Sequence, residues 1–138
     1  MKNSIIYLAV FLYCGVASAQ NNLSLDIAGV KKNGGKLFIS IFNNEESYNE
    51  RKIYFSFVTN PDAETISVAL TLSNGEYLFS IYQDNNSNGK LDTNLLGIPK
   101  ELFGFSNYNG KSAPGNFNKH KVLVNEKTNK ITVHLYKL

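Results

Sequence analysis

The sequence predicts an all-β fold, an antiparallel β-sandwich of the immunoglobulin-like or transthyretin-like kind, with about seven strands and one long ordered loop. Three observations favour this class. Apolar and polar residues alternate over seven short segments, turns rich in Gly and Asn separate several of these segments, and helical periodicity is nearly absent. Such alternation is typical of strands that bury one face and expose the other.

The predicted strands follow from this period of two. The clearest alternation lies at 65–72, where every second residue is Ile, Val or Leu, and the weakest lies at 52–58. In chain order the predicted strands are 22–27, 37–42, 52–58, 65–72, 77–82, 122–124 and 131–136.

Two turns and one short helix complete this outline. Asn33-Gly34-Gly35 and Ser73-Asn74-Gly75 are hairpin-type turn signals, because Gly and Asn tolerate the positive φ of tight turns. Residues 44–50 could form one or two helical turns, with Asn44 as the cap and two glutamates in the first turn.

The first nineteen residues have the features of a secretory signal. A short basic start precedes the apolar stretch 5–16, and Ala17-Ser18-Ala19 forms an A-x-A cleavage site before Gln20. A membrane-spanning helix would need roughly 20 apolar residues, so we expect no transmembrane span. The sequence therefore predicts a cleaved signal at 1–19 and a single exported domain at 20–138, located in the periplasm or outside the cell.

Composition excludes several classes of protein. The chain has 138 residues, 43% of them hydrophobic and 18% charged, which is a globular composition with room for one domain. A net charge of +3 is too weak to indicate nucleic acid as a partner. The one cysteine, Cys14, lies in the predicted signal, so neither a disulfide framework nor a multi-cysteine zinc site is expected. We expect the protein to be a monomer.

Residues 84–121 form a 38-residue segment between two predicted strands, and such a long connection is usually functional or disordered. Its apolar content predicts that it is ordered. The apolar residues are Leu95, Leu96, Ile98, Leu102, Phe103, Phe105 and Phe117.

The start of this segment matches D-x-[DN]-x-[DN]-G-x-x-D, the first nine positions of an EF-hand-type calcium loop. Ca²⁺ takes six to eight hard oxygen ligands, and side chains at alternate positions converge on one point only where the chain curls tightly. Gly89 permits that curl, and Leu91 is expected to point inward and hold the loop to the core. The candidate ligands are Asp84, Asn86, Asn88, the carbonyl of Lys90, Asp92 and, further along, Glu101.

The twelfth position of the loop is Leu95 and not the bidentate Glu of an EF-hand. Calcium affinity is therefore expected near ~10⁻⁴ to 10⁻³ M, the range of extracellular modules. The alternative is a metal-free Asx-rich turn that satisfies its own main chain. Glu101 is accordingly either a ligand that folds back toward Asp84 or a solvated acid.

Beyond the loop the chain reads G-x-P-x-E-x-x-G-F-S-N over residues 97–107. With the preceding D-x-N-x-N-G-K-x-D, this pattern resembles the uncharacterised secreted bacterial proteins grouped as domain of unknown function 2141. The resemblance implies a secreted immunoglobulin-like or transthyretin-like sandwich and no established activity. One departure is an extra residue between Pro114 and Phe117.

No recognisable catalytic constellation is present, so we expect no enzymatic activity. The two histidines are His120, expected to open a strand, and His134, expected to face solvent. Neither has an elbow-type spacing to a serine. Ser106 and Asn107 are expected to cap main-chain groups.

A binding or scaffold module for a protein or carbohydrate ligand is the favoured function. Exposed tyrosines could form its surface, although tyrosines on outer sheet faces are also ordinary strand formers. These are Tyr48, Tyr54, Tyr82, Tyr108 and Tyr136. The alternative is a hydrolase or carbohydrate-active domain that uses acidic residues of 84–107.

Overall fold

The computed structural model describes residues 18–138, so nearly all of the predicted signal at 1–19 lies outside the described residues. The described chain forms eight strands and two short helices. Their bounds are β1 (Gln20–Ala28), β2 (Lys36–Phe42), α1 (Glu45–Asn49), β3 (Phe55–Thr59), β4 (Thr65–Ser73), β5 (Gly75–Asp84), β6 (Phe103–Phe105), α2 (Phe117–His120), β7 (Val122–Val124) and β8 (Lys130–His134).

The strands form two sheets that share one apolar core. One sheet has the order β4-β1-β8, and the other has the order β3-β2-β5-β6, with β7 also paired to β5. Inward side chains from both sheets meet in the core, among them Leu25 and Val133 from the first and Ile39 and Phe79 from the second. The all-β class is confirmed.

One pairing corrects the expectation of a purely antiparallel fold. Ser24–Ala28 of β1 pairs with Lys130–His134 of β8 in parallel. Parallel neighbours cannot be joined by a tight hairpin and need a crossover connection. The chain meets this condition because all the other strands lie between β1 and β8 in the sequence.

The two predicted hairpin turns do not join paired strands, so that expectation is wrong. Asn33-Gly34-Gly35 leads from β1 to β2, and Ser73-Asn74-Gly75 leads from β4 to β5. In both cases the chain passes from one sheet to the other. Turn residues permit a sharp reversal, but the pairing of the flanking strands depends on which neighbours their apolar faces find.

Two predictions from local pattern have different outcomes. The predicted helix is present as α1, where the Asn44 side chain accepts a hydrogen bond from the Ser47 N–H at 2.7 Å. The predicted strand 52–58 is β3, which begins only at Phe55. Ile53, which precedes β3, is 50% exposed, and Phe55, at the start of this edge strand, is 47% exposed.

A polar cluster joins the three strands of the smaller sheet. The Asp26 carboxylate on β1 accepts hydrogen bonds from the hydroxyls of Ser67 on β4 at 2.7 Å and Ser24 at 2.8 Å. Lys130 on β8 lies 3.7 Å from the same carboxylate. The Ser67 hydrogen bond, then that of Ser24 and finally the charge of Lys130 hold the pKa of Asp26 below its ordinary value of 3.8.

This lowered pKa predicts a pH dependence of stability. A carboxyl whose folded pKa is depressed stabilises the fold above its unfolded pKa, and the contribution is lost as the pH falls through the folded value. We expect the wild-type protein to lose more stability than Asp26→Asn as the pH falls below the ordinary value of 3.8. Urea unfolding of both proteins across this pH range measures the effect, and parallel stability curves would contradict it.

Candidate functional site

The segment with the candidate ligands begins where the central strand β5 ends. Asp84 is the last residue of β5 and pairs with Lys36, the first residue of β2. The chain then runs outward and returns at Phe103 to form β6 against the same strand. The candidate site is therefore attached at both ends to the larger sheet.

The first nine residues of the segment curl around Asp84, as the spacing predicts. Asp84 is only 3% exposed. One of its oxygens accepts a hydrogen bond from the Asn88 N–H at 3.2 Å, and the other accepts from the Gly89 N–H at 2.8 Å. Gly89 has φ +73°, in the left-handed region that favours glycine.

A second carboxylate, that of Asp92, accepts hydrogen bonds from both amide side chains of the loop. Asp92 accepts hydrogen bonds from the side-chain amide of Asn86 at 2.5 Å and from that of Asn88 at 2.8 and 2.9 Å. The bonds from Asn86 and Asn88, with smaller effects of Lys100 and Lys90, hold the pKa of Asp92 below its ordinary value. The Lys90 N–H donates to the Asn88 side chain at 3.0 Å and so continues the turn.

Glu101 closes the base of the loop. One of its carboxylate oxygens accepts from the Asn85 N–H at 2.9 Å, and the other accepts from the Asp92 N–H at 3.1 Å. Its exposed fraction is 2%, so the alternative of a solvated acid is wrong. Hydrogen bonds from main-chain N–H groups to an ionised carboxylate are stronger than those to a neutral acceptor, so Glu101 ties together residues that are seven positions apart in the chain.

The oxygen-rich composition of the loop suits a hard cation such as Ca²⁺. Within residues 18–138, no three His, Cys, Asp or Glu side chains come close enough to hold a metal by themselves. A cation would therefore depend on amide and carbonyl oxygens as well as on Asp84 and Asp92. The amide nitrogens of Asn86 and Asn88 point toward Asp92, and a half-turn of each amide would present its oxygen there instead.

The outer part of the segment is ordered by polar contacts and not by burial. Leu95 and Leu96, expected among the apolar residues that order the segment, are almost fully exposed, and Leu91, expected to point inward, is only half-buried. Phe103 and Phe117, further along the segment, are buried as expected. The Asn94 side chain accepts hydrogen bonds from the N–H groups of Leu96 at 2.9 Å and Ile98 at 3.0 Å. The hydrogen bonds of this short polar side chain thus hold the main chain in place, as packed apolar side chains do elsewhere in the fold.

The G-F-S-N stretch, expected to belong to one long loop, overlaps strand β6, whose last two residues are Gly104 and Phe105. Gly104 lies against the main chain of His134, where a Cβ atom would come within 2.2 Å of the His134 carbonyl oxygen. Ser106 is fully buried; it accepts from the Phe79 N–H at 3.0 Å and donates to the His120 carbonyl at 2.6 Å. The Asn107 side chain donates to the Lys121 carbonyl at 2.7 Å, so the predicted capping roles are confirmed.

His120 does not open a strand but ends helix α2, fully buried. Its Nε2 accepts from the Gly115 N–H at 2.8 Å, so the proton is on Nδ1, which faces the Asn107 carbonyl at 3.2 Å. Ser106 links His120 to Phe79, which lies five residues before Asp84 on β5. At roughly 3.3 Å per strand residue, Phe79 and Asp84 are about 17 Å apart. The structure therefore does not bring His120 to the acids, and His134 is exposed as expected.

The five tyrosines do not form one exposed surface. Tyr108 is buried, at 8% exposure, against Phe103 and Tyr136, contrary to expectation. Tyr82 stacks on Phe38 at 5.0 Å, and its hydroxyl donates to the Gly89 carbonyl. Tyr48 and Tyr136 are half-buried, which leaves Tyr54 as the one exposed member of the five.

The chain is similar to one family of known proteins. The family model described as "Uncharacterized protein conserved in bacteria (DUF2141)" matches residues 25–132. The chain belongs to the DUF2141 family. This confirms the resemblance, and the matched range includes the whole loop and the G-F-S-N stretch. No curated protein and no solved structure shows significant similarity to this DUF2141 protein. Among residues 18–138, no helix is long and apolar enough to cross a membrane.

Some residues of this DUF2141 protein become notable only in three dimensions. Lys31 and Lys137, from the β1–β2 connection and the end of the chain, lie beside Gln83 and the base of the loop. No local pattern relates these lysines to one another. The sequence does indicate that Gln83 points inward, because it continues the alternation of the inward-facing residues Phe79 and Ile81 along β5.

Proposed function

We propose that this protein is an exported binding or scaffold module, an immunoglobulin-like or transthyretin-like sandwich with a calcium-type loop at 84–92. One observation carries the proposal. The loop closes on the buried Asp84 carboxylate and brings Asn86, Asn88 and Asp92 within hydrogen-bond distance of one another. These side chains supply the hard oxygens that calcium prefers.

The electrostatics of the loop support a cation there. Neither Asp84 nor Asp92 belongs to the ion pairs found among residues 18–138, so their negative charges have no ion-pair partner in this part of the chain. Asp84 and Asp92, with the oxygens of Asn86 and Asn88 and the Lys90 carbonyl, would hold the ion. Glu101 supports the site because it fixes the main chain at both ends of the loop.

Export is supported by the place where the fold begins. Strand β1 starts at Gln20, the residue directly after the predicted cleavage site. The first strand pairing of the described domain begins with Gln20 opposite Ser73, directly after the predicted cleavage site. The ligand of the module is proposed to be a protein or a carbohydrate.

Calcium is expected to stabilise the protein. A ligand that binds only the folded state at about ten times its Kd raises the free energy of unfolding by about 1.4 kcal/mol. Thermal melts in CaCl₂, in MgCl₂ of equal ionic strength and in a chelator should show a higher Tm in calcium alone. Mg²⁺ is a poor substitute because it requires a small, near-ideal octahedral site.

The matched variants are Asp92→Asn in the loop and Asp62→Asn at an exposed position elsewhere. Asp92→Asn should abolish the calcium effect, and Asp62→Asn should leave it unchanged. Equal melting temperatures in calcium and chelator, or a calcium effect that Asp92→Asn retains, would contradict the calcium site.

A further inference from the structure

A small pocket lies beside the base of the loop, where Asn85 and Glu101 line it. It has a volume of about 180 Å³ and is lined by parts of the chain that are distant in sequence. Three lysines from three such parts line it: Lys31, Lys100 and Lys137.

The pocket floor is rigid because its polar atoms are already paired. The Gln83 side chain accepts from the Lys31 N–H at 2.9 Å and donates to the carbonyls of Lys31 at 2.8 Å and Gly35 at 3.1 Å. Glu101, the pocket's one carboxylate, accepts two main-chain hydrogen bonds through its two oxygens. The floor thus holds its shape without a ligand.

The lysine ammonium groups, in contrast, form no ion pair in the described part of the chain, although the charge of Lys100 also acts on Asp92 at longer range. Lys52, Lys121 and Lys130 form ion pairs, whereas Lys31, Lys100 and Lys137 form none among residues 18–138. Three positive charges against the single negative charge of Glu101 leave the pocket with an excess of two. This excess favours an anion.

Size and geometry narrow the choice of anion. Pockets for drug-sized ligands measure roughly 300–1,000 Å³, so this one fits a single small group and not an oligosaccharide. Planar carboxylates are best matched by the fork of arginine, and no arginine lines the pocket. Separate point charges from three parts of the chain suit a tetrahedral oxyanion, and lysine is a common phosphate binder as a point charge.

We propose that this pocket binds a phosphate group, either as the free ion or as a phosphate monoester. The proposal gives the binding module a ligand class and so rests on the proposed binding role, although it does not depend on calcium. The pocket and the loop share Glu101, which places the two sites side by side.

The test follows the ¹H–¹⁵N spectrum of the protein during titration with inorganic phosphate, in a chelator and at constant ionic strength. Saturable shifts are expected at the amides of Gln83, Asn85 and Leu102, which line the pocket. Glycerol 3-phosphate in a parallel titration distinguishes the sources, since tighter binding of the ester assigns the site to monoesters and weaker binding assigns it to the free ion. Acetate that binds as tightly as phosphate would overturn the proposal.

Variants that remove lysine charges distinguish binding of phosphate in the pocket from a general attraction of phosphate to a basic protein. Joint replacement of Lys31, Lys100 and Lys137 by Gln should weaken phosphate binding about tenfold, the sum of three modest ion pairs. The control replaces Lys32, Lys111 and Lys127, which are equally exposed, and should leave the affinity unchanged. Equal losses in both triple variants, or no saturable shift in the wild type, would overturn the proposal.

Lys100→Gln alone provides a milder variant, with an expected loss of about two- to fivefold, if the triple variant does not fold. Unchanged affinity in Lys100→Gln would also count against the pocket. Because the titration contains no calcium, its failure beside a positive calcium melt rejects only the phosphate site. A phosphate response beside a negative calcium melt rejects only the calcium loop.

Discussion

Gly104→Ala is expected to destabilise the protein by about 3 kcal/mol, at the upper end of the usual cost of overpacking. The added Cβ atom would come within 2.2 Å of the His134 carbonyl oxygen and 3.1 Å of the carbonyl carbon. Main-chain atoms cannot rotate away as the end of a side chain can. The substitution must therefore push β6 away from the end of β8.

The consequence would extend to the site. Phe103, next to Gly104, exchanges two main-chain hydrogen bonds with Tyr136, at 3.0 and 2.8 Å, and these bonds connect the two sheets. Two residues before Phe103 lies Glu101, which closes the loop. A displacement of β6 therefore disturbs both the connection between the sheets and the base of the candidate site.

Urea unfolding of Gly104→Ala beside Gly75→Ala measures this effect. Gly75 is also a strand glycine, but the nearest atom to its added Cβ would lie at an ordinary 3.5 Å. The control should change the free energy of unfolding by less than about 1 kcal/mol. Equal stabilities of the two variants would show that β6 does not pack against His134 as described.

Glu101→Gln is expected to destabilise the protein by about 2–3 kcal/mol, the scale for hydrogen bonds to a buried charged group. The glutamine has nearly the same shape but only one acceptor oxygen. Its NH₂ group would face the N–H of either Asn85 or Asp92, two donors directed at each other. One end of the loop would therefore be released.

The matched control for Glu101→Gln is Glu126→Gln, at an exposed glutamate, which should cost less than about 0.5 kcal/mol. Hydrogen exchange supplies a second measurement, because the amides of Asn85 and Asp92 should lose protection only in Glu101→Gln. Unchanged protection at both amides would contradict the role assigned to Glu101, even if stability fell.

Local pattern predicted much of the secondary structure and the curl of the loop. Strand positions follow from alternation, because each strand buries one face, and only β6, inside the long segment, was not predicted as a strand. The cap at Asn44 and the turn at Gly89 depend on hydrogen bonds and dihedral angles within a few residues. Sequence spacing is sufficient for such features.

Pairing and burial across the chain were not predictable in the same way. Alternation shows that a strand has a buried face but not which strand covers it, so local pattern predicts hairpins at the two turns that in fact lead from one sheet to the other. The same limit applies to Tyr108, a residue in an irregular segment that is buried only because β6 brings it against Tyr136.

By itself, the sequence determined the all-β class, the family, and an Asx-rich loop after the fifth strand with the composition of a calcium site. Only the tertiary structure decided that β8 joins β1 in parallel, that Glu101 is buried under the loop, and that three lysines share one pocket. The physical reason is how far along the chain each kind of interaction acts. Dihedral preference and hydrophobic period act between near neighbours, whereas strand partners and pocket walls are set by contacts between residues as distant in sequence as Ala28 and His134.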